Sequence, residues 1–235
     1  PKTGQAQYGT LKAAQLRQSI LQAAVEGKLV PQDLHDEPAS VLLERIKAEK
    51  AKLIQQGTIK KEKSLSAITE EDIPYDLPEG WVWCRLGDVT TLYNGRAYKN
   101  NELLDKGKTP VLRVGNLFTS NKWYFSNLDL PNDKYCDQGD LLYAWSASFG
   151  PHIWTGPKAI YHYHIWKLAL HLKPMREYVY CVLLAHTSMI KGSGHGLAMI
   201  HVTKENTERW LFPLPPLAEQ QRIVAKVDEL MALCD

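Results

Sequence analysis

The last twenty or so residues constrain this chain most. Residues 213–234 read as a short extended lead-in followed by a helix opening at Pro215-Pro216. Proline suits a first helical turn, where its missing N–H costs nothing, and Glu219 would sit at the positive end of the helix dipole. From Leu217 the apolar residues Ile223, Val224, Val227, Leu230, Met231 and Cys234 recur at helical spacing. They form one stripe, leaving Gln220, Arg222, Lys226 and Glu229 for the other faces. No glycine, asparagine or proline stops the helix before Asp235. The expectation is a helix that something else continues.

Upstream, residues 1–9 read as a flexible leader. A helix from about Leu11 to Val25 follows, with Leu16, Ile20, Ala23 and Ala24 on its apolar face and Gly27 as its stop. After an extended linker containing Pro31, a second helix is expected over 41–56, packing through Leu42, Leu43, Ile46, Leu53 and Ile54 and ended by Gly57. Residues 10–57 thus form a helical region. The charged runs Lys60, Lys61, Glu62, Lys63 and Glu70, Glu71, Asp72 mark 58–76 as an exposed connector. From Trp81 the pattern changes to short strands rich in aromatic and β-branched residues, at 81–86, 89–93, 110–114, 140–145, 152–155 and 159–170. A helix over 175–190 follows, then a glycine-rich loop at 192–196 and a short helix through Glu208 capped by Thr203. The class is α+β: one mixed α/β domain over 77–213, with long helices outside it and the last one beginning at 214.

Several functions are excluded by what the chain lacks. With 44% apolar residues a real core is available, and no apolar run is long enough to cross a membrane. Cys84, Cys136, Cys181 and Cys234 are scattered, with no Cys-x-x-Cys pair, so reduced cytoplasmic thiols are expected. No phosphate-binding Gly-x-x-x-x-Gly-Lys loop, dinucleotide fingerprint or Asn/Asp-Pro-Pro-aromatic tetrapeptide occurs. Ser193 with His195 caricatures a nucleophile and its base, but the surrounding glycines explain a loop better. His162 and His164 alternate along the expected strand and would share a face. Without a matching Cys or carboxylate cluster they read as packed histidines rather than metal ligands. No catalytic site and no metal site is assigned.

The charge distribution points elsewhere. The net charge is +2, yet from Trp81 to Pro215 there are 15 Lys and Arg against 10 Asp and Glu, together with all seven tryptophans. Four loops carry side chains suited to base edges and phosphates: Arg96, Tyr98, Lys99 and Asn100; Arg113 and Asn116; Trp145, Ser146 and Ser148; and His195, His201 and Lys204. Arg can bond guanine in bidentate fashion, Asn adenine, and Ser either, while lysines hold the backbone. Gly95 and Gly115 would serve as a hinge and as a close-approach point. The loops as a set are the candidate DNA-binding surface.

Three stretches also carry a family resemblance. Leu214-Pro-Pro-Leu-Ala-Glu-Gln-Gln-Arg-Ile-Val224 resembles the repeat of the specificity subunits of type I restriction–modification systems. Leu16-Arg-Gln-Ser-Ile-Leu-Gln-Ala-Ala-Val-Glu-Gly-Lys-Leu-Val30 resembles the far end of that same region, and Leu77-Pro-Glu-Gly-Trp-Val-Trp-Cys-Arg-Leu-Gly-Asp88 the entry into a target-recognition domain. The pieces span nearly the whole chain in family order. The resemblance implies a non-catalytic subunit that reads one part of a bipartite sequence in double-stranded DNA. It also implies two methyltransferase subunits docked on the helices and restriction subunits joining them. This chain would bind no cofactor. S-adenosylmethionine would belong to the methyltransferase, and ATP and Mg to the restriction subunit.

Only one recognition domain is present, so the resemblance implies a half-length form or the C-terminal half of a longer subunit. A helix of about 18 residues spans roughly 27 Å, near one turn of DNA. An antiparallel helical spacer with a partner, or a homodimer, would complete the ruler. Its seam is expected at Leu16, Ile20, Ile223, Val224, Val227, Leu230 and Met231. The alternatives are a protein-interaction scaffold without base readout and a stand-alone nuclease.

Overall fold

In a computed structural model of the chain, residues 2–61, 65–146, 148–192 and 203–234 are described, the side chains of 2–11 and 191–192 excepted. The elements run α1 (Lys2–Val25), α2 (Ala39–Gln55), β1 (Val82–Arg85), α3 (Leu86–Val89), β2 (Thr90–Asn94), β3 (Thr109–Leu112) and α4 (Val114–Phe118). Next come β4 (Tyr124–Ser126), β5 (Tyr135–Cys136), β6 (Leu141–Ala144), β7 (Gly150–Ile153), β8 (Ala159–Tyr161) and β9 (Ile165–Leu170). Last are α5 (Arg176–Gly192), α6 (Lys204–Glu208), β10 (Leu211–Leu214) and α7 (Leu217–Ala232). The α+β expectation holds. By packing, the described residues fall into two compact units, one of 2–61, 65–89, 171–192 and 209–234, the other of 90–146, 148–170 and 203–208. β1, β10 and α5 thus pack with the end helices.

In the first unit, β1 pairs antiparallel with β10, placing Val82 opposite Leu214 and Arg85 opposite Leu211. α1, α5 and α7 pack on one another. α1 begins at Lys2, so residues 2–9 of the expected leader are helical. Gly4 and Gly9 lower propensity there, but the Ala, Gln and Lys around them favour helix. Arg17 Nη2 donates to the Cys234 carbonyl (2.8 Å), while Gln32, just beyond α1, reaches Glu219 in the first turn of α7. The two helices therefore run antiparallel within one chain.

This arrangement corrects the expected seam. Ile20, Ile223 and Val227 are buried inside the unit, Val224, Leu230 and Met231 are half-buried, and Leu16 is 52% exposed. The helical stripe is covered by α1 and α5 of the same chain, because that removes its apolar area from water without needing a partner.

Two of the signature stretches meet at Glu219, which is 1% exposed, and the third is tied to it through Gln32, whose Nε2 also donates to the Gly27 carbonyl (2.7 Å). Its carboxylate accepts from Trp81 Nε1 (2.9 Å) and Gln32 Nε2 (3.1 Å). Gly27 closes α1 with φ +68°, and its Cα packs so tightly that a Cβ would lie 2.3 Å from Pro78 Cγ. Burial raises the Glu219 pKa. The folded state therefore binds this proton more tightly than the unfolded chain does. Its favourable contribution is present below the ordinary carboxyl range and is lost as pH rises through the raised folded value. Glu219→Ala, which leaves the indole N–H unpaired, should cost about 2–3 kcal/mol. Glu219→Gln keeps an acceptor and should cost less than about 1 kcal/mol. In urea melts, wild type should gain on the Gln variant as pH falls from 7 toward 4.5. A flat difference would place no ionisable burden on this carboxyl.

The 58–76 connector is less free than its charges suggest. Ile59 is buried, Tyr75 Oη donates to the Val25 carbonyl (3.0 Å), and Thr69 N donates to Asp72 Oδ2 (3.0 Å). Arg85 anchors it from β1. Nε donates to Ser66 O (2.9 Å), Nη2 to Ala67 O (3.2 Å) and Nη1 to Arg209 O (2.8 Å).

The second unit holds two four-stranded sheets. One has the order β2-β9-β6-β7 and is antiparallel throughout. The other has the order β4-β3-β8-β5, with β3 and β8 parallel. Leu112, Cys136, Leu142, Trp154, Ala159, Tyr161 and Ile165 form a core cluster, flanked by Val114, Leu117 and Trp123. The single strand expected over 159–170 is two strands in different sheets, joined by a turn at 162–164. β4 and β5, only three and two residues long, carry too little alternation to read as strands from sequence.

Candidate nucleic-acid interface

The parallel central strands β3 and β8 finish at the same end of their sheet, and each hands over to a polar segment there. β3 leads into Arg113 and the short helix α4; β8 leads into His162, Tyr163 and His164. Asn116 ties the first segment together. Its Oδ1 accepts from Arg113 N (3.1 Å), and its Nδ2 donates to Ser120 O (3.3 Å) and Lys122 O (2.9 Å). The second segment is pinned by backbone. His162 N donates to Leu112 O (2.9 Å), Tyr163 N to Arg96 O (3.1 Å) and Ile165 N to His162 O (2.9 Å).

Between them lies a recess of about 370 Å³, lined by Arg113, Gly115, Asn116, Phe118, Ser120, Lys122, Tyr124, Ser148, His162 and His164 among others. No aspartate or glutamate is among its lining residues. Arg113 and Lys122 share the ring of Tyr124, at 5.4 Å and 5.1 Å from its centroid. The Lys122 ammonium, hydrogen-bonded to the Tyr124 hydroxyl, is held above its ordinary pKa, and the same bond lowers that of Tyr124. The His162 and His164 rings lie 5.0 Å apart. Burial, then His164 and Arg113, depress the His162 pKa to about 4, and burial lowers that of His164. Both imidazoles are therefore neutral at pH 7, each offering one donor and one acceptor. The wall is cationic; the histidines are polar but uncharged.

The sequence candidates divide. Arg113, Asn116 and Ser148 line the recess, although the Asn116 amide is spent on its own loop. Trp145 stands behind it: its Nε1 donates to Tyr163 O (3.0 Å), and its ring packs on His164 (5.0 Å) and Trp166 (5.6 Å). Ser146 is half-buried and outside the lining. The loop at 94–101 is folded on itself. Arg96 makes a bidentate pair with Glu102 (2.8 and 2.9 Å), and Tyr98 Oη donates to Tyr161 O (3.3 Å). Those two side chains hold structure, whereas Lys99 and Asn100 are exposed. Lys204 pairs with Glu208 (3.3 Å). His195 and His201, with Ser193, lie outside the described residues.

Two expectations are corrected here. Gly95 is no hinge; a Cβ on it would lie 2.2 Å from the His162 carbonyl oxygen, so it is the point where two backbones touch. His162 and His164 do not share a strand face, since they occupy the turn after β8. Among the described residues, no group of three or more His, Cys, Asp or Glu is placed to hold a metal. Sequence reasoning missed Phe118, Ser120, Lys122 and Tyr124. The signal was available in the polar run Thr119-Ser-Asn-Lys122, directly after the candidate Arg113 and Asn116.

A family profile described as "Type I restriction modification DNA specificity domain" matches residues 78–235. The chain is 35% identical over 239 residues to the type I restriction enzyme EcoAI specificity subunit of Escherichia coli, covering 94% of this chain and 40% of that protein. It is 29% identical over 243 residues to the EcoEI specificity subunit of the same organism, with the same coverage. The chain thus spans about 40% of the length of these relatives. The HsdS subunit from Thermoanaerobacter tengcongensis shares its fold, with TM-score 0.55, 22% identity, and coverage of 83% of this chain and 49% of that one. So does a chain from a structure of type I R-M complex assembly and conformational transition, with TM-score 0.57 and 22% identity over 83% of this chain and 50% of that one.

Proposed function

The chain belongs to the family of type I restriction–modification DNA specificity domains, and we propose that it reads one part of a bipartite target in double-stranded DNA. The observation that carries this is the recess at the ends of β3 and β8. It is cationic, free of lining carboxylates and furnished with neutral donors and acceptors. Phosphates are attracted to the two cations, and base edges need directed hydrogen bonds rather than net charge. The chain acts as a recognition subunit and leaves chemistry to its partners.

Those partners are two methyltransferase subunits, which bind S-adenosylmethionine, and restriction subunits, which use ATP and Mg. The relatives are named as specificity subunits of restriction enzymes, and this reading extends their role to the present chain. No described helix is long and apolar enough to cross a membrane. A cytoplasmic location follows from the proposed substrate.

A bipartite target needs a second recognition unit, supplied by a further copy or by a longer chain. With Ile20, Ile223 and Val227 already buried, an antiparallel helical spacer would be built with a partner through Leu16 (52% exposed), Leu233 (78% exposed) and the half-buried Leu230 and Met231. Self-association at micromolar concentration, read by light scattering, is the expected behaviour of this chain. A monomer would assign the second half to a longer subunit.

Duplex binding should be salt-sensitive. With two to three phosphates neutralised, affinity should fall roughly 10- to 40-fold between 50 and 200 mM salt. In cells carrying the chain with its methyltransferase, methylation mapping should return a bipartite adenine-methylated motif. Its absence, together with salt-insensitive binding, would leave a scaffold role in place of this one.

A further inference from the structure

Resting on the DNA-reading function proposed above, the recess itself divides into two parts of different chemistry. We infer that His162, His164 and Arg113 form a base-reading set, and that Lys122 with Tyr124 is a phosphate anchor beside it. His162 and His164 are specificity-determining residues in this assignment, although no DNA-contact role attaches to them from the sequence.

Rigidity is the first argument. Base readout requires donors and acceptors held within a fraction of an ångström, on supports that do not move. The 162–164 turn has such support: its backbone is bonded to Leu112, Arg96 and its own Ile165. Its rings are braced as well, His164 against Trp145 (5.0 Å) and Tyr163 (3.9 Å), and His162 against Tyr163 (4.4 Å). Arg113 leads out of β3 with its backbone N–H capped by Asn116, and it lies close enough to His162 to influence its protonation.

Charge is the second argument. A neutral imidazole offers a phosphate little Coulomb attraction, but it presents one donor and one acceptor to a base edge. Lys122 is the opposite case. It is exposed, on a flexible stem, and hydrogen-bonded to the Tyr124 hydroxyl. Such a side chain attracts any phosphate and discriminates poorly among bases.

The test uses the chain assembled with its methyltransferase, once methylation mapping has defined the motif. Duplexes carrying that motif, and every single base-pair change within it, serve as probes. Affinities are measured for wild type, His162→Ala, His164→Ala, the conservative His162→Gln and His164→Gln, and Lys122→Ala. Thermal melts establish that each variant is folded. Wild type should prefer the correct base pair by roughly 10- to 100-fold at the position the histidines read. The Ala variants should collapse that preference to within about threefold at one position, leaving the salt dependence unchanged, with partial rescue by Gln. Lys122→Ala should weaken all duplexes alike and lower the salt slope by about one.

Folded histidine variants that keep every positional preference would overturn the assignment while leaving DNA reading intact. So would histidine variants that weaken all duplexes equally with a shallower salt slope. A wild-type assembly with no sequence preference and no salt-sensitive binding would overturn the functional reading beneath it.

Discussion

Gly95→Ala should unsettle the second unit more than any other single methyl group. The added Cβ would lie 2.2 Å and 2.4 Å from the carbonyl oxygen and carbon of His162, and 2.6 Å from the Tyr161 oxygen. All three are backbone atoms, so no side-chain rotation relieves the clash. The chain must part, and with it go the bonds from Gly95 N to Ile165 O (3.2 Å) and from Arg96 N to Tyr161 O (3.0 Å). Overpacking and lost hydrogen bonds together should cost about 3 kcal/mol. The melting midpoint should drop by about 8 °C. Because the displaced segment carries His162, duplex affinity should also fall, by roughly tenfold. Gly57→Ala is the informative control. Gly57 has φ +71°, and a Cβ added there would meet nothing within 4 Å, so only backbone strain of about 1 kcal/mol is introduced. Equal melting points for the two variants would remove close approach as the reason for glycine at 95.

Arg85→Ala should produce the comparable loss in the first unit. The guanidinium is nearly buried and donates to the Ser66, Ala67 and Arg209 carbonyls, with Asp72 Oδ2 at 3.4 Å. One side chain thus ties the connector before β1 to the segment entering β10. Hydrogen bonds from a charged donor contribute more than neutral ones, but the exposed Ser66 and Ala67 carbonyls can turn to water when Arg85 is removed. A net cost of about 3 kcal/mol is expected from the lost bonds and packing. Arg85→Lys keeps the charge but not the planar fork, and should recover about half. Limited proteolysis reads the local effect, since cleavage within 58–72 should accelerate at least tenfold in the Ala variant. A melting point within about 2 °C of wild type would show that the connector holds without this anchor.

The chain's own pattern determined a good deal. The stripe from Leu217 onward and the cap at Thr203 located the starts of two helices, and the stops at Gly27 and Gly57 the ends of two more, because helix periodicity and capping are local; the start of α1, nine residues ahead of its expected place, carried no such signal. The three signature stretches pointed to the family for a similar reason: each is a short run whose wording is independent of its surroundings. Long-range packing decided the rest. The stripe on α7 was legible as apolar, yet nothing local says whether α1, α5 or a second copy covers it. Ile223 and Val227 turned out to be buried by their own chain. Arg96 and Arg113 look alike as loop arginines, but only the fold brings Glu102 to one and leaves the other beside Tyr124 and His162. His162 and His164 sit in an alternation that reads as one strand; the chain breaks there because β8 and β9 pair with different partners in different sheets. Local sequence encodes which backbone a segment prefers. Which side chains are left free to meet a ligand depends on neighbours tens of residues away, and only tertiary structure supplies those.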